Sequence, residues 1–371
     1  MHSLRFIRRS NIFFVAGCMT VFLVSVIGLF FPASWSGHEF RNLAPFPGFE
    51  HREEIDAYVR DHFGMRESLV GLANLTSLLF FHEALDSRMV LGREGWLFYN
   101  EYSEIPYETP LSTEQLEIWR AYMEGRTRWF RRHKIPFYFF VTPDKQSIYP
   151  EYLAYSRKVP TRTQQLKEYL EKHSFVRILE PTDALLEGKK SGIRLYYKHG
   201  THWNSMGAFV AYRFLAKHLP AFIPEPIGPE RLEVHVDYFP EQSLLRMMHL
   251  RFLGMFDRSV ENVLKGSRAT IIDVSPPSFP ATEWRLYSTG DSRLPRALVY
   301  NDSFFTLLMP YFSQHFDRVL YVNRGSMQMS AEDLQSMQPQ LVIQQFVERK
   351  LKYASPPLDP WMKEENDRLK D

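Results

Sequence analysis

The chain has 371 residues with 45 Lys plus Arg against 43 Asp plus Glu, a formal charge of +2. It therefore lacks the one-sided basic field that nucleic-acid binding requires. Hydrophobic residues at 44% and charged residues at 24% exclude wholesale disorder, and a single cysteine, Cys18, excludes a disulfide framework, a cysteine-rich zinc site and an iron-sulfur cluster within the chain.

Residues 11–31 carry no charge and are dominated by Phe, Val, Leu and Ile. About 20 such residues match the hydrocarbon core of a bilayer, so a transmembrane segment is expected there. Arg5, Arg8 and Arg9 precede it and no Lys or Arg follows until Arg41. The positive-inside rule then puts residues 1–10 in the cytoplasm and everything from residue 32 outside the inner membrane, in the periplasm. A cleaved signal peptide is the rival reading. Pro32-Ala-Ser-Trp35 is a poor small-x-small cleavage site, which favours an uncleaved single-pass signal anchor.

From 32 to 354 no fixed-period repeat and no long low-complexity linker appears, so one compact domain is expected, followed by a solvated polar tail at 355–371. Ser112 and Gln115 form a capping-box pattern that opens a helix carrying Leu116, Trp119, Met123 and Phe130 and ending near His133. Residues 136–141 read as a buried strand, and Thr142-Pro-Asp-Lys145 as a turn. A helix over 163–173 precedes a strand over 175–179. Asn204 caps a helix that runs to Leu219 and stops at Pro220. The stretch 221–294 is rich in proline and has no clean period apart from a helix around 242–263; it reads as an elaboration of the same domain. Beyond it, strands are expected at 296–300, 318–322 and 341–343, with helices near 304–316 and 330–337. Pro310 falls inside the first of these, where an interior proline costs about 3 kcal/mol, so that helix should kink or break. Alternation of helix and strand predicts a mainly parallel α/β sheet covered by helices, because parallel strands need crossover connections.

In such a sheet, chemistry sits at the carboxyl ends of strands. Asn301-Asp-Ser303 occupies that position, after the apolar run RALVY and before a helix. A serine there presents its hydroxyl to a cleft, and its backbone N–H, near a helix N-terminus, stabilises an oxyanion. The competing reading is that these three residues only cap the helix. Gly290-Asp-Ser292 is set aside, because RLYST before it is not an apolar strand. His202, in the loop Tyr196-Tyr-Lys-His-Gly-Thr-His-Trp-Asn204, is the candidate base: a neutral imidazole near its ordinary pKa accepts a serine proton. Its competing reading is an ordinary hydrogen-bonded histidine. His199 and His202 lack a recognisable carboxylate partner and do not define a metal site.

These residues are similar to those of the alginate O-acetyltransferase family of the AlgJ and AlgX type. The resemblance is carried by Arg41-Asn-Leu-Ala-Pro45, Phe63-Gly-Met-Arg66, Val90-Leu-Gly-Arg-Glu-Gly-Trp-Leu-Phe-Tyr99, Thr142-Pro-Asp-Lys-Gln-Ser-Ile-Tyr-Pro150, Thr201-His-Trp-Asn204, Asp302-Ser-Phe304 and Val347-Glu-Arg349, in that order. It implies a three-layer SGNH-hydrolase-like fold in circularly permuted order, with Ser303 as nucleophile and His202 as base. It also implies acetylation of an exported polysaccharide, with acetyl groups supplied across the inner membrane by a partner of the membrane-bound O-acyltransferase type. No cofactor or metal is expected. Two departures stand out. Family members with a full triad carry an aspartate two residues before the histidine, where this chain has Gly200, and Asn301 stands where glycine or a basic residue is common. Asn301 and Asp302 are further support positions, and the turn at Asn323 to Gly325 is a candidate second oxyanion donor. Trp96, Tyr99, Trp203 and Tyr311 are candidate stacking faces for sugar. A polysaccharide acetyl esterase and a catalytically weak polysaccharide-binding scaffold remain as alternatives.

Overall fold

A computed structural model describes residues 52–62, 66–100, 109–155, 159–238, 240–272, 283–323, 327–352 and 359–363, with a few isolated positions before residue 52. The apolar segment 11–31 lies largely outside the described residues. Among those described, no helix is long and apolar enough to cross a membrane.

Where the sequence pattern offered one unit from 32 to 354, the contacts divide the chain into two compact units. The first comprises residues up to Leu85 together with Arg246–Arg251. It contains the helices Arg52–His62 and Arg66–Thr76, and the Asn74 amide donates to the Met248 carbonyl at 3.2 Å.

The second unit, Asp86–Leu245 with Phe252–Asp371, contains every strand among the described residues. A short antiparallel hairpin of β1 (Met89–Leu91) and β2 (Leu97–Tyr99) leads into the helix Thr113–Arg132. Ser112 and Gln115 close the expected capping box at its start. The central sheet contains β3 (Phe137–Thr142), β4 (Ile178–Leu179), β7 (Thr270–Ile272), β8 (Glu283–Ser288), β9 (Arg296–Tyr300), β10 (Arg318–Asn323) and β11 (Leu341–Val347). Their spatial order is β4-β3-β11-β9-β10-β8-β7. The first five run parallel, and β8 and β7 extend the edge antiparallel. A separate hairpin pairs β5 (Leu232–Asp237) with β6 (Ser259–Leu264).

Alternate residues of the central strands point to opposite faces, and both faces are buried, as parallel strands between helix layers require. Phe140, Ala297, Val299, Val319, Tyr321, Leu341 and Ile343 pack with Phe209, Tyr212 and Leu215 of the helix Ser205–His218. On the other face, Phe139 and Val141 pack with Trp119 and Met123, and Leu298, Leu320 and Val342 pack with Trp129 and Phe130, all on the helix Thr113–Arg132. These are the three layers of the expected fold.

Three expectations need correction, and a fourth, the break at Pro310, is met. The helix around 242–263 is instead a short helix Ser243–Met247, a 3-10 segment Arg251–Phe256 and strand β6. Pairing with β5 overrides its local pattern, and β6 uses Glu261 to accept from the Ser205 N–H (2.9 Å) and hydroxyl (2.5 Å) at the start of Ser205–His218. The helix near 304–316 is broken into a 3-10 turn Ser303–Leu308, a single α-turn Met309–Phe312 and a 3-10 turn Ser313–His315, with Pro310 in the first turn of the α-segment, where its missing N–H costs nothing. The strand over 175–179 shrinks to Ile178–Leu179. Residues 359–363 do not form a solvated tail: Met362 is fully buried, and Asp359 accepts from the Met329 N–H (3.1 Å) and from Arg126 (2.7 Å).

Arg126 is itself fully buried and also donates to Gln344 Oε1 (2.7 Å) and the Met327 carbonyl (3.1 Å). Removing one partner of a buried ion pair strands the other charge. Arg126→Met should therefore lower the unfolding free energy in urea by about 3–5 kcal/mol. The double change Arg126→Met with Asp359→Leu should recover most of that loss.

Candidate functional site

The strands β3, β9, β10 and β11 end on the same edge of the sheet, and the segments that follow three of them converge there. After β9 the chain turns through Asn301 and Asp302 into Ser303. Asp302 is 7% exposed, and both its carboxylate oxygens are engaged. Oδ1 accepts from the Phe304 N–H (2.9 Å) and from Gln345 Nε2 (2.9 Å), and Oδ2 accepts from the Val347 N–H (2.8 Å). Gln345 Oε1 in turn accepts from the Asp302 N–H (2.9 Å), so one strand residue clamps the turn from two sides. The capping duty that competed with a nucleophile role thus falls to Asp302, and the Ser303 side chain is exposed beyond it.

His202 meets that side chain, its Nε2 lying 2.8 Å from Ser303 Oγ. The loop that carries it is fixed from three directions. Tyr196 forms an antiparallel bridge with Trp203, and the Tyr197 N–H donates to the His202 carbonyl at 3.1 Å. Trp203 is fully buried, and its indole N–H donates to the Phe304 carbonyl (3.0 Å), tying the histidine loop directly to the serine turn. Lys145, 1% exposed, donates from Nζ to the carbonyls of Tyr197 (2.9 Å), Lys198 (3.1 Å) and Gly200 (2.6 Å). Burial pushes that lysine down to about 7, with the Glu241 charge opposing the shift.

The electrostatics of His202 follow from its surroundings. Burial against Phe304, ring centroids 4.9 Å apart, depresses its pKa from the ordinary 6.5, because desolvation disfavours the charged imidazolium. Glu241 and Asp302 oppose this, whereas Arg349 and Lys145 reinforce it. The imidazole is therefore held in the neutral form that accepts a proton. Its Nδ1 faces the Thr201 hydroxyl at 3.0 Å rather than a carboxylate.

The remaining predicted positions divide. The Asn301 amide donates to the Asp302 carbonyl (2.8 Å) within its own turn, and its backbone N–H donates to the Val322 carbonyl (2.9 Å) of β10. It braces the turn. Asn323 closes β10 opposite Glu283, and no hydrogen bond joins it to Ser303 among the described residues; Gly325 lies outside them. His199 faces Asp257 (Nδ1 to Oδ2, 3.4 Å), away from any shared site with His202. Trp96, Trp203 and Tyr311 are buried, so of the four aromatics considered for sugar stacking only Tyr99 is partly open. The stretch RLYS, not apolar enough to read as a buried strand, belongs to β8, between β10 and β7. It runs antiparallel to β10, so Gly290 to Ser292 lie at the amino edge of the parallel strands, remote from Ser303.

Sequence reasoning assigned no role to Gln345, Lys145 or Arg349. Two glutamines inside the apolar run LVIQQFV were a usable signal, because buried amides must find partners. Arg349 pairs with Asp144, and its guanidinium lies over the rings of Tyr99 (5.4 Å) and Phe304 (5.4 Å).

Residues 89–249 match the family model of the SGNH hydrolase-like domain, acetyltransferase AlgX. Among solved structures, Bacillus cereus PatB1 with a sulfonyl adduct superimposes with a TM-score of 0.54 at 14% identity, covering 71% of this chain and 98% of that one. The O-acetyltransferase domain of Pseudomonas putida AlgJ gives 0.51 at 18% identity, covering 76% and 99%. The chain thus carries an SGNH hydrolase-like α/β domain. It is similar to the AlgJ and AlgX proteins: a probable alginate O-acetylase AlgJ of Pseudomonas fluorescens is 26% identical over 215 residues, or 57% of this chain and 52% of that protein. The match spans about half the length of that relative.

Asp302→Asn tests the clamp. An amide offers one acceptor oxygen and one donor nitrogen, so either the Val347 N–H or the Phe304 and Gln345 donors must face another donor. Stability should fall by about 1–3 kcal/mol in urea titration.

Proposed function

We propose that this protein is an O-acetyltransferase that moves acetyl groups onto hydroxyls of an exported polysaccharide through an acyl-enzyme on Ser303. The observation that carries the reading is the 2.8 Å contact between His202 Nε2 and an exposed Ser303 Oγ. The AlgX family model and the AlgJ relative support acetyl transfer to polysaccharide as the chemical class.

In the first step His202 Nε2 takes the Ser303 proton while Oγ forms a bond to the acetyl carbonyl carbon and the donor's leaving group departs with that proton. In the second, a sugar hydroxyl gives its proton to Nε2 and attacks the acyl carbon, and Ser303 Oγ leaves that carbon and takes the proton back from Nε2. The Ser303 backbone N–H, at the start of a 3-10 turn, is the first candidate to stabilise the oxyanion. The anchor at 11–31 holds the domain on the periplasmic face of the inner membrane, where a membrane-bound O-acyltransferase partner delivers the acetyl group. A polysaccharide acetyl esterase uses the same pair and differs only in its acceptor.

Incubating the full-length chain with p-nitrophenyl acetate and mapping the adduct by peptide mass spectrometry should place the acetyl group on Ser303. Ser303→Ala should give no adduct, and labelling confined to another residue refutes the reading. Because the His202 pKa is depressed below 6.5, the base stays neutral through pH 7, so the acylation rate should be level there and fall only on acidification below about 6.5. Presenting polymer to the acyl-enzyme and finding only free acetate would select the esterase.

A further inference from the structure

Glu241 precedes the short helix Ser243–Met247, far in sequence from the histidine loop, and shares its space. One carboxylate oxygen, Oε1, accepts from the Ser243 N–H at 2.9 Å. The other, Oε2, is buried and has no hydrogen-bond partner among the described residues. Leaving a buried carboxylate oxygen unpaired is costly, and such an orphan asks for a role.

Its position gives that role. A Cβ built on Gly200 would lie 2.7 Å from Glu241 Cδ and closer still to Oε2. The Glu241 carboxylate therefore fills the volume in which a side chain at position 200 would begin. Any residue larger than glycine at 200 would displace it. Two hydrogen bonds hold the segments together: the Thr201 N–H donates to Ser243 Oγ (3.3 Å), and the Leu244 N–H to the His199 carbonyl (3.0 Å).

We propose that Glu241 is the positioning residue of His202, supplying from a separate loop the negative charge that a carboxylate at position 200 would otherwise provide. The inference rests on the acyl-transfer reading for its consequence in turnover, but not for the electrostatic link itself. As Oγ bonds to the acetyl carbon, its proton passes to Nε2 and the ring becomes an imidazolium. The Glu241 carboxylate takes no part in that transfer and favours the cation electrostatically from its place beside Gly200. The charges around His202 oppose one another: Glu241 and Asp302 favour its charged form, while Arg349 and Lys145 disfavour it. Without Glu241 the two cations act against Asp302 alone, and the proton transfer becomes harder. Replacing the aspartate of a serine-hydrolase triad by its amide costs about 10⁴-fold in kcat, which sets the scale.

The test uses the full-length chain with labelled histidine and two readouts, the His202 titration midpoint by NMR and the rate of Ser303 acylation by p-nitrophenyl acetate. Glu241→Gln keeps the shape and removes the charge. It should move the His202 midpoint to lower pH and slow acylation by about 10²-fold or more. The double change Gly200→Asp with Glu241→Gly should return the midpoint towards the wild-type value and restore most of the rate. An unchanged midpoint in Glu241→Gln overturns the proposal whatever happens to the rate, because a merely structural glutamate would slow the enzyme without moving it. Should Glu241→Gln fail to fold, the double variant decides: a restored midpoint supports the proposal and a lowered one overturns it. A wild-type chain that never acylates Ser303 refutes the acetyl-transfer reading, while the midpoint still decides the fate of Glu241.

Discussion

The contact between His202 Nε2 and Ser303 Oγ joins groups 101 positions apart, and both must stay accessible to a substrate while being held within hydrogen-bond reach. A partly exposed pair gains little stability from its own bond. Its geometry has to be imposed from beneath. At one end the imposition comes from a buried carboxylate, Asp302, saturated by two backbone N–H groups and one amide. At the other it comes from a buried ammonium, Lys145, which gathers three carbonyls of the histidine loop. The Trp203 indole N–H then closes the circuit by donating to the residue after the nucleophile.

The motifs that carried the family resemblance turn out to be the parts of this frame. Gln146 of the TPDKQSIYP segment donates to the Tyr99 carbonyl at the end of the β1–β2 hairpin (2.8 Å). Asp144 pairs with Arg349, and Glu348, fully buried, accepts from Ser147 Oγ and from the N–H groups of Asp144 (3.2 Å) and Thr163 (3.3 Å). Val347 reaches Asp302, and Arg349 lies over Phe304. Five of the seven motifs therefore touch one another around one edge of one sheet. The other two fall largely outside the described residues. Most of these residues are buried and polar. Their presence reflects the cost of leaving any one of them unpaired, since a half-satisfied polar network is less stable than an apolar core.

The path from sequence to site was uneven for identifiable reasons. Local signals were sufficient where a segment's own chemistry decides its shape, as with the Ser112 capping box, the Asn204 cap and the break at Pro310. They misled at 242–263, where a strand partner twenty-odd residues upstream overrides an apparent helix, and at 359–363, where a polar stretch is drawn into the core by a buried arginine. The aromatic residues were chosen for sugar on composition, and packing used three of them for the core.

What the amino-acid sequence determined alone was the helix–strand alternation that gives β3, β9, β10 and β11, the serine at the end of β9, the histidine before a capped helix, and the missing side chain at Gly200. All of these depend on periodicity, capping and chain position, which are local. Only the tertiary structure decided that Asp302 rather than Ser303 serves as the cap, that Gln345 and Lys145 hold the two loops, and that the Glu241 carboxylate occupies the space beside Gly200. Those facts depend on which distant segments meet, and burial and unpaired polar groups settle that only once the chain has folded.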